Sequence, residues 1–466
     1  MTAQSTTPLL AGAAQVDITP QGPVHLSGDV GRYRPARFIA EPLFARAIVL
    51  ESAGRRLCLL TLDVTIVTAP WTARIRAAAR DQFGLDPDAL MVHATQTHSA
   101  PSIGHFMVDE DFPPFAPELE WVRGGNDAYS AFAADRAVEA IGQAIAALEP
   151  VEIGCGSGIE GRMAHNRRAV MRDGTVSMPG RTWPEPLGPA GIRYIEGPID
   201  PEVGVICLRG KSLRIPTLIA NHTCHPVHVF PRQIVSPDWP GALADELRAT
   251  YGEGCVPIIT NGACGNINPW PPFDPDYVED HRRMGRVLAE TVTKVTEGLS
   301  FTDHATLDWR VNRVELPLRE LSAEELSWAT GIIEANPQPP WSDESHTGVD
   351  YDWTVAASIY SVELARRRKP FLDYEIQALR IGDAAIVGLP GEPFVEGQLA
   401  IKLASPTYPT YIAHCTSHYV GYIPTRDALT RGGHEVNTRF WAKLMPDALD
   451  TIIAEAGETL GEVSGG

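Results

Sequence analysis

The sequence lacks the features that direct a chain to a membrane or out of the cell. Its first residues show neither the basic start nor the apolar stretch of a secretory signal. No run of about 18 apolar residues, the length needed to span a bilayer, occurs in the chain. We therefore expect a cytoplasmic protein with no membrane association.

Basic residues are scarce relative to acidic ones. The chain has 39 Lys and Arg against 58 Asp and Glu, which gives a formal net charge of −19. Nucleic acids and anionic membrane surfaces bind clustered Lys and Arg, so this balance argues against both as partners. A small-molecule substrate is the expected partner, and assembly into a homo-oligomer is compatible with the composition.

Several motifs of known chemistry are also missing. The 7 cysteines are an odd number, scattered along the chain, and none forms a Cys-x-x-Cys pair. They are therefore predicted to be reduced core residues rather than a disulfide framework. No Gly-x-Ser-x-Gly, His-Glu-x-x-His or dinucleotide-binding fingerprint is present, which argues against those classes of enzyme.

What is present indicates an α/β protein. An apolar strand at residues 56–64, a helix at 71–83 ending near Gly84, and a strand at 89–95 follow one another. This order is typical of a crossover unit in a parallel or mixed sheet. We predict central, mainly mixed or parallel sheets flanked by helices.

The length of 466 residues exceeds a usual single core. The prediction is one domain over residues 1–466, with two intimate lobes, 1–300 and 301–466, as a possible subdivision.

The chemistry is predicted to centre on residues 91–102, where an apolar run gives way to a turn containing Ser-Ala-Pro. If the run is a strand, alternation places Gln96 and His98 on one face and His93 on the other. Such a face at a strand end commonly opens onto the crevice where α/β proteins bind ligands. The structural alternative is that one His caps the turn and the other packs in the core.

Two further apolar runs end in the same way. Residues 221–228 carry three His, and residues 388–394 carry Glu392 between two Pro. Three apolar runs therefore each deliver His or Glu in a Pro-containing turn, which favours a shared site.

The first of these turns, Thr-Gln-Thr-His-Ser-Ala-Pro, resembles the Thr-His-Thr-His-Ser-Gly-Pro signature of the neutral/alkaline ceramidase family. Other segments resemble that family in the same order along the chain: residues 11–20, 197–203, 261–269, 391–394 and 421–426. The resemblance implies the catalytic core of that family, without its C-terminal immunoglobulin-like domain, and an amidase activity.

The resemblance also implies a zinc site. The matching positions are His225, Glu392 and Tyr422, together with the first His of the signature, where this chain has Gln96. Zinc prefers His nitrogen and carboxylate oxygen, and a Gln oxygen is a weak neutral ligand. Either Gln96 binds the metal weakly, or His98 or another His replaces it, or the site is metal-free; a retained zinc or other divalent metal is the favoured prediction.

Other site residues are predicted from the same resemblance. His434 stands where the family has a Tyr that contacts the scissile group, and it is predicted to act as a general acid or base. Asn166 and Arg167 match a position that faces the substrate, and Arg167 is suited to hold an oxyanion. Asn261, in a glycine-rich turn, and His228, which flanks His225, complete the candidate substrate-binding residues.

These residues together predict a metal-dependent hydrolase that uses metal-activated water on an amide, ester or lactone. Glu392 or a nearby His takes the proton, while His98, His434 and Arg167 stabilise the oxyanion and protonate the leaving group. A small polar, carbohydrate-derived substrate suits the acidic, His-rich loops. The alternatives are a lyase or isomerase using His98 and His434 as an acid and base pair, and a non-catalytic binding protein of the same fold.

Overall fold

A computed structural model describes residues 8–179 and 188–465 of the chain. Its strands form an eight-stranded sheet, a four-stranded sheet and several short pairings. In chain order, the strands of the large sheet are β1 (Leu10–Asp17), β2 (Phe44–Ser52), β3 (Arg55–Leu62), β4 (Leu90–Ala94), β5 (Glu149–Ile159), β6 (Glu202–Gly210), β7 (Thr217–His222) and β8 (Val256–Asn261). The small sheet contains β9 (Leu307–Pro317), β10 (Phe371–Ile381), β11 (Ala384–Gly388) and β12 (Thr410–Ala413).

The helices of the described residues are α1 (Ala69–Phe83), α2 (Asp127–Ala146), α3 (Asp238–Tyr251), α4 (His281–Glu297), α5 (Ala323–Ala335), α6 (Tyr351–Arg368), α7 (Val395–Ala404), α8 (Arg426–Arg431) and α9 (Ala448–Ser464). None of them combines the length and hydropathy needed to cross a membrane. Shorter strands lie at Phe38–Ile39, His165–Asn166, Ala169–Met171, Val176–Ser177, Ile192–Ile195, Ile234–Val235, Ile267–Asn268, Glu392–Pro393 and Tyr422–Ile423.

Local sequence fixes where the helices begin and end. The side chain of Asn126 accepts a hydrogen bond from Tyr129 N at the start of α2, and Ser322 and Glu325 form a reciprocal capping box at α5. Helix α1 ends at Gly84, whose φ of 65° is the left-handed conformation that glycine adopts most easily.

The two sheets pack face to face between outer layers of helices. In the large sheet the order is β8-β7-β6-β5-β1-β2-β3-β4, and in the small sheet it is β9-β10-β11-β12. Alternate residues of β3 point to opposite sides: Leu60 packs with α1 and α2, whereas Leu59 joins a core shared with Leu379 and Ile386 of the small sheet. Because both faces of β3 are buried, its sequence is a continuous apolar run instead of an alternating one.

Three parallel strand pairs position the site. Strands β3 and β4, β7 and β8, and β11 and β12 run parallel, and each pair is connected through a helix, α1, α3 or α7. The predicted crossover unit over residues 56–95 and the predicted α/β class are thereby confirmed.

The carboxyl ends of three of these strands meet in the middle of the molecule. Asn261 N, at the end of β8, donates to His93 Nε2 of β4 at 3.1 Å. His414 N, after β12, donates to Asn261 O at 3.0 Å. The strand order of the large sheet puts β4 and β8 at opposite edges, so the sheet curves until its edges touch, and the segments that follow these strands converge.

Some local predictions were wrong. The strand predicted at residues 89–95 spans Leu90–Ala94, but Gln96 has a left-handed φ of 69°, so the predicted strand alternation does not extend to Gln96 and His98. The final Gly-Glu-Val-Ser-Gly-Gly segment by its composition predicts a frayed tail, but α9 extends to Ser464 and buries Val463 in the core of the small sheet.

Two other predictions concern the ends and the subdivision of the chain. The predicted boundary near residue 300 falls between α4 and β9, and the two sheets on either side of it share one core. Residues 1–7, on which the expected absence of a secretory signal depended, lie outside the described residues.

Candidate active site

Five of the predicted site residues line one cavity, and His225 contacts one of these five. The turn after β4 delivers Gln96 and His98, the turn after β7 delivers His225, and the turn after β11 delivers Glu392. Glu392 then pairs in parallel with Tyr422 in a short two-stranded ladder. A cavity of about 40 Å³ is lined by several of the predicted site residues: Gln96, His98, Glu392, Tyr422 and His434.

His225 and Glu392 are in direct contact. His225 Nε2 lies 2.9 Å from Glu392 Oε2, and both side chains are buried. On the other side of the ring, His225 Nδ1 lies 2.6 Å from the carbonyl oxygen of Cys264 and 3.2 Å from that of Ile267. A carbonyl oxygen only accepts, so Nδ1 carries a proton and Nε2 is directed at the carboxylate.

Glu392 is held on both of its oxygens. Tyr419 Oη donates a 2.8 Å hydrogen bond to Oε1, opposite the contact with His225. Burial alone would raise the pKa of Glu392, but the hydrogen bond and charge of His225, with Arg167 and Tyr419, lower it to about 2. The group is therefore a carboxylate at neutral pH.

His98 lies beside this pair, and its Nδ1, like that of His225, is bound to a backbone carbonyl oxygen. Its Nδ1 lies 2.9 Å from the carbonyl oxygen of Gly28, and its ring centroid is 5.4 Å from that of His225. A Cβ at residue 28 would come within 2.6 Å of His98 Nδ1, so only glycine permits this approach. Burial, with smaller contributions from His225 and Arg34, lowers the pKa of His98 to about 3, and the ring is neutral at pH 7.

The contact between His225 and Glu392 requires a positive charge. With Nδ1 protonated, a neutral His225 presents a lone pair on Nε2 to a carboxylate oxygen, which also only accepts. Two acceptors 2.9 Å apart are stable only if a proton or a cation lies between them. This is the arrangement expected of a metal-ligating His whose other nitrogen is fixed by a hydrogen bond.

Tyr422 lies next to Glu392, and Arg167 packs against Tyr422. The guanidinium of Arg167 lies 5.3 Å from the ring centroid of Tyr422, and its Nε and Nη1 donate to Glu435 Oε1 at 2.8 Å and Asn268 Oδ1 at 3.2 Å. Burial and Glu392 raise the pKa of the Tyr422 phenol, while Arg167 acts in the opposite direction. Arg167 is thus a buried cation oriented by its neighbours and positioned against one wall of the site.

His434 is an exposed residue that lines the edge of the cavity. Its ring stacks on Trp441 at 6.0 Å and meets the Tyr422 ring edge-on at 5.5 Å. The imidazole of His434 faces the same space as Glu392 and His98.

The remaining predicted residues make contacts that stabilise the surrounding loops. Asn166 donates to Pro198 O at 3.0 Å, and Asn261 donates to Thr95 O at 3.1 Å. His228 Nδ1 pairs with Asp238 Oδ1 at 2.8 Å. These contacts leave Asn166, Asn261 and His228 outside the set of residues that lines the cavity, and their role in substrate binding stays a prediction.

Sequence reasoning missed several residues that support the site. Tyr419 fixes Glu392, Glu435 bridges Arg167 and Arg168, and Cys264 Sγ lies 3.6 Å from Gln96 Oε1 and 3.6 Å from His414 Nε2. Glu435 directly follows His434 and Cys264 lies within a segment that resembles the family, so those two had a positional signal. Nothing in the sequence alone distinguished Tyr419 or His414.

Groups of three or more His, Cys, Asp or Glu side chains that could hold a metal ion are absent from the described ranges. Nevertheless, the donors present suit such an ion chemically. Two imidazoles with Nδ1 bound to carbonyl oxygens, one carboxylate and one phenol are the types of ligand that zinc accepts.

Comparison with solved structures shows which known proteins share this fold. No protein-family model and no curated protein sequence matches the chain. Among solved structures, the chain is similar to neutral ceramidase from Pseudomonas aeruginosa, with a TM-score of 0.71 and 17% identity, over 99% of this chain and 75% of that one. It is also similar to a ceramidase complexed with C2, with a TM-score of 0.70 and 19% identity, over 98% and 76% of the two chains.

The protein therefore has the α/β fold of the neutral ceramidases. The resemblance that the motifs predicted is confirmed at the level of the fold, in a chain that has diverged far in sequence.

Proposed function

We propose that the protein is a metal-dependent hydrolase that cleaves an amide, ester or lactone bond in a small polar substrate. The observation that carries this proposal is the 2.9 Å contact between His225 Nε2 and Glu392 Oε2, with Nδ1 of the same ring fixed by a carbonyl. The ceramidase fold supports it, since the similar solved structures are named as ceramidases.

His225, Glu392 and Tyr422 would hold the metal, with His98 as the further nitrogen donor. His98 suits this role because its Nδ1 is already bound to Gly28, which leaves Nε2 unprotonated in the neutral ring. When bound, zinc or a similar ion lowers the pKa of a coordinated water toward neutrality and polarises a carbonyl.

The other residues would bind and orient the substrate and move protons. Glu392 or a neighbouring imidazole accepts the proton of the attacking water, because each is an unprotonated base at neutral pH. Arg167 is the cation that stabilises the developing negative charge on the carbonyl oxygen. His434 contacts the leaving group and passes to it the proton taken from the attacking water.

The cavity indicates the size and the character of the substrate. The free volume of the cavity, about 40 Å³, lies far below that of a typical ligand pocket, so the cavity holds only a small reacting group of the substrate. Its wall combines polar groups with Phe106, Met107 and Trp441. We therefore propose that the substrate is a compact molecule with a polar body, such as a carbohydrate-derived amide or lactone. We also propose that the enzyme acts in the cytoplasm.

The proposal is tested by metal analysis and isotope incorporation on the same preparation. We expect close to one equivalent of zinc or a similar ion after dialysis against zinc, and hydrolysis of p-nitrophenyl acetate that a chelator abolishes. Oxygen-18 from labelled water should appear in the acetate. Less than about a tenth of an equivalent of metal, together with no turnover, would favour a binding protein. Turnover of an amide or lactone without oxygen-18 in the product would favour a lyase or isomerase.

A further inference from the structure

Gln96 has a backbone conformation that the fold must enforce. Its φ of 69° lies in the left-handed region, where a residue with a Cβ is strained. The conformation is held by the hydrogen bonds from Thr95 N to Leu62 O at 2.9 Å and from Gln96 N to Val64 O at 3.1 Å. Strain of this kind persists where the surrounding structure fixes it, and it clusters at functional sites. Here it turns a buried Gln side chain toward the cavity that also contains His98 and Glu392.

The side-chain amide of Gln96 is oriented by Cys264. Cys264 Sγ donates to Gln96 Oε1 at 3.6 Å, and Asn261 Nδ2 donates to the same sulfur at 3.6 Å. The carbonyl oxygen of the Gln96 amide therefore accepts a hydrogen bond from the protein itself.

The nitrogen of the Gln96 amide is the atom that is free to interact with a ligand in the cavity. No hydrogen bond joins Gln96 Nε2 to another residue in the described part of the chain, although the side chain is about 1% exposed and lines the cavity. An amide nitrogen donates two hydrogens and has no lone pair to offer a cation. With its oxygen turned to Cys264, Gln96 presents a donor to the site instead of a ligand.

We propose that Gln96 is a catalytic hydrogen-bond donor, which holds the carbonyl oxygen of the bond to be cleaved while Cys264 fixes its orientation. The proposal rests on the hydrolase function proposed above and assigns the metal to His98, His225, Glu392 and Tyr422. A neutral, preorganised donor stabilises an oxyanion that forms during attack on a carbonyl. It complements the cation of Arg167, which lies beside the Tyr422 wall.

The test uses methylphosphonate, a tetrahedral anion that stands in for the oxyanion, and the full chain after dialysis against zinc. Titration calorimetry should show that Gln96→Leu and Gln96→Glu weaken methylphosphonate binding by about 10- to 100-fold, the loss typical of one hydrogen bond to a charged group. The metal content of both variants should equal that of the wild type. Gln143→Leu, which removes an exposed Gln amide on α2, serves as the matched control and should bind as the wild type does.

Gln96→Glu keeps the shape of the side chain, so it remains informative if the Leu variant folds poorly. Loss of metal in Gln96→Leu would show that Gln96 is a ligand and overturn the proposal. Unchanged methylphosphonate affinity in both variants, or no binding to the wild type, would overturn it as well. Failure of the hydrolase function is seen separately, as absence of p-nitrophenyl acetate turnover by a wild-type protein whose methylphosphonate binding still depends on Gln96.

Discussion

Tyr419 Oη donates a 2.8 Å hydrogen bond to Glu392 Oε1, and this bond fixes the carboxylate so that its other oxygen faces His225. Both groups are buried, so the bond orients Glu392 without competition from water. Hydrogen-bond partners of this type set the direction of a ligand and tune its basicity.

Replacing Tyr419 with Phe should therefore weaken metal binding while preserving the packing of the ring. We expect the zinc affinity to fall by roughly 10- to 100-fold, measured by competition with a chromogenic chelator. Tyr129→Phe is the control. Tyr129 Oη is also buried, but it donates to Ile18 O, and Tyr129 does not line the cavity. Equal zinc affinity in Tyr419→Phe and the wild type would show that Tyr419 does not support a ligand.

His225→Ala and Glu392→Ala should each abolish metal retention and turnover, because each removes one of the two groups in direct contact. His222→Ala provides the matched control. His222 is also buried, but its Nδ1 lies 3.1 Å from Glu202 O and its ring packs on Trp239, away from the cavity. The measurements are metal content after dialysis and hydrolysis of p-nitrophenyl acetate. Full activity in either site variant would refute the site.

Gln96→His should raise the affinity for zinc, because it places an imidazole on the wall of the cavity that already contains His98 and Glu392. Chelator competition on the purified variant gives the affinity directly. If the zinc affinity does not change, the metal is held without any contribution from position 96.

The buried network around Glu435 predicts a specific acid sensitivity of folding. Glu435 pairs with Arg167 Nε at 2.8 Å and Arg168 Nη1 at 2.7 Å. Burial would raise the pKa of Glu435, but these two cations lower it to about 2. Because the folded pKa lies below the unfolded value of about 4.3, Glu435 stabilises the fold above that pH. The contribution is lost as the pH falls through the folded pKa.

Urea unfolding of the wild type and Glu435→Gln should show this directly. At pH 7 the variant should be less stable by about 3 kcal/mol, and the difference should shrink between about pH 5 and pH 2. Glu139→Gln, which removes an exposed partner of Arg136, should change the free energy of unfolding by less than about 1 kcal/mol at any pH. A difference for Glu435→Gln that is independent of pH would contradict the assigned charge network.

Much of the site was readable from the sequence because its residues follow apolar strands in recognisable turns. His225, Glu392 and Tyr422 were predicted from such segments, and the structure brings His225 into contact with Glu392, which pairs with Tyr422. Gln96 and His98 both line the candidate cavity, but strand alternation does not place them there. Strand β4 ends at Ala94, and a left-handed turn rather than alternation directs Gln96 inward.

The sequence by itself determined the α/β class, the strand ends that carry His and Glu, and the resemblance to the ceramidases, because apolar periodicity and short motifs are local properties of the chain. Only the tertiary structure decided which side chains meet. Tyr419 with Glu392, and Cys264 with Gln96, are joined across 27 and 168 residues of chain, respectively. Contacts of this kind depend on how the large sheet curves to bring its edge strands together, and no local pattern encodes that curvature.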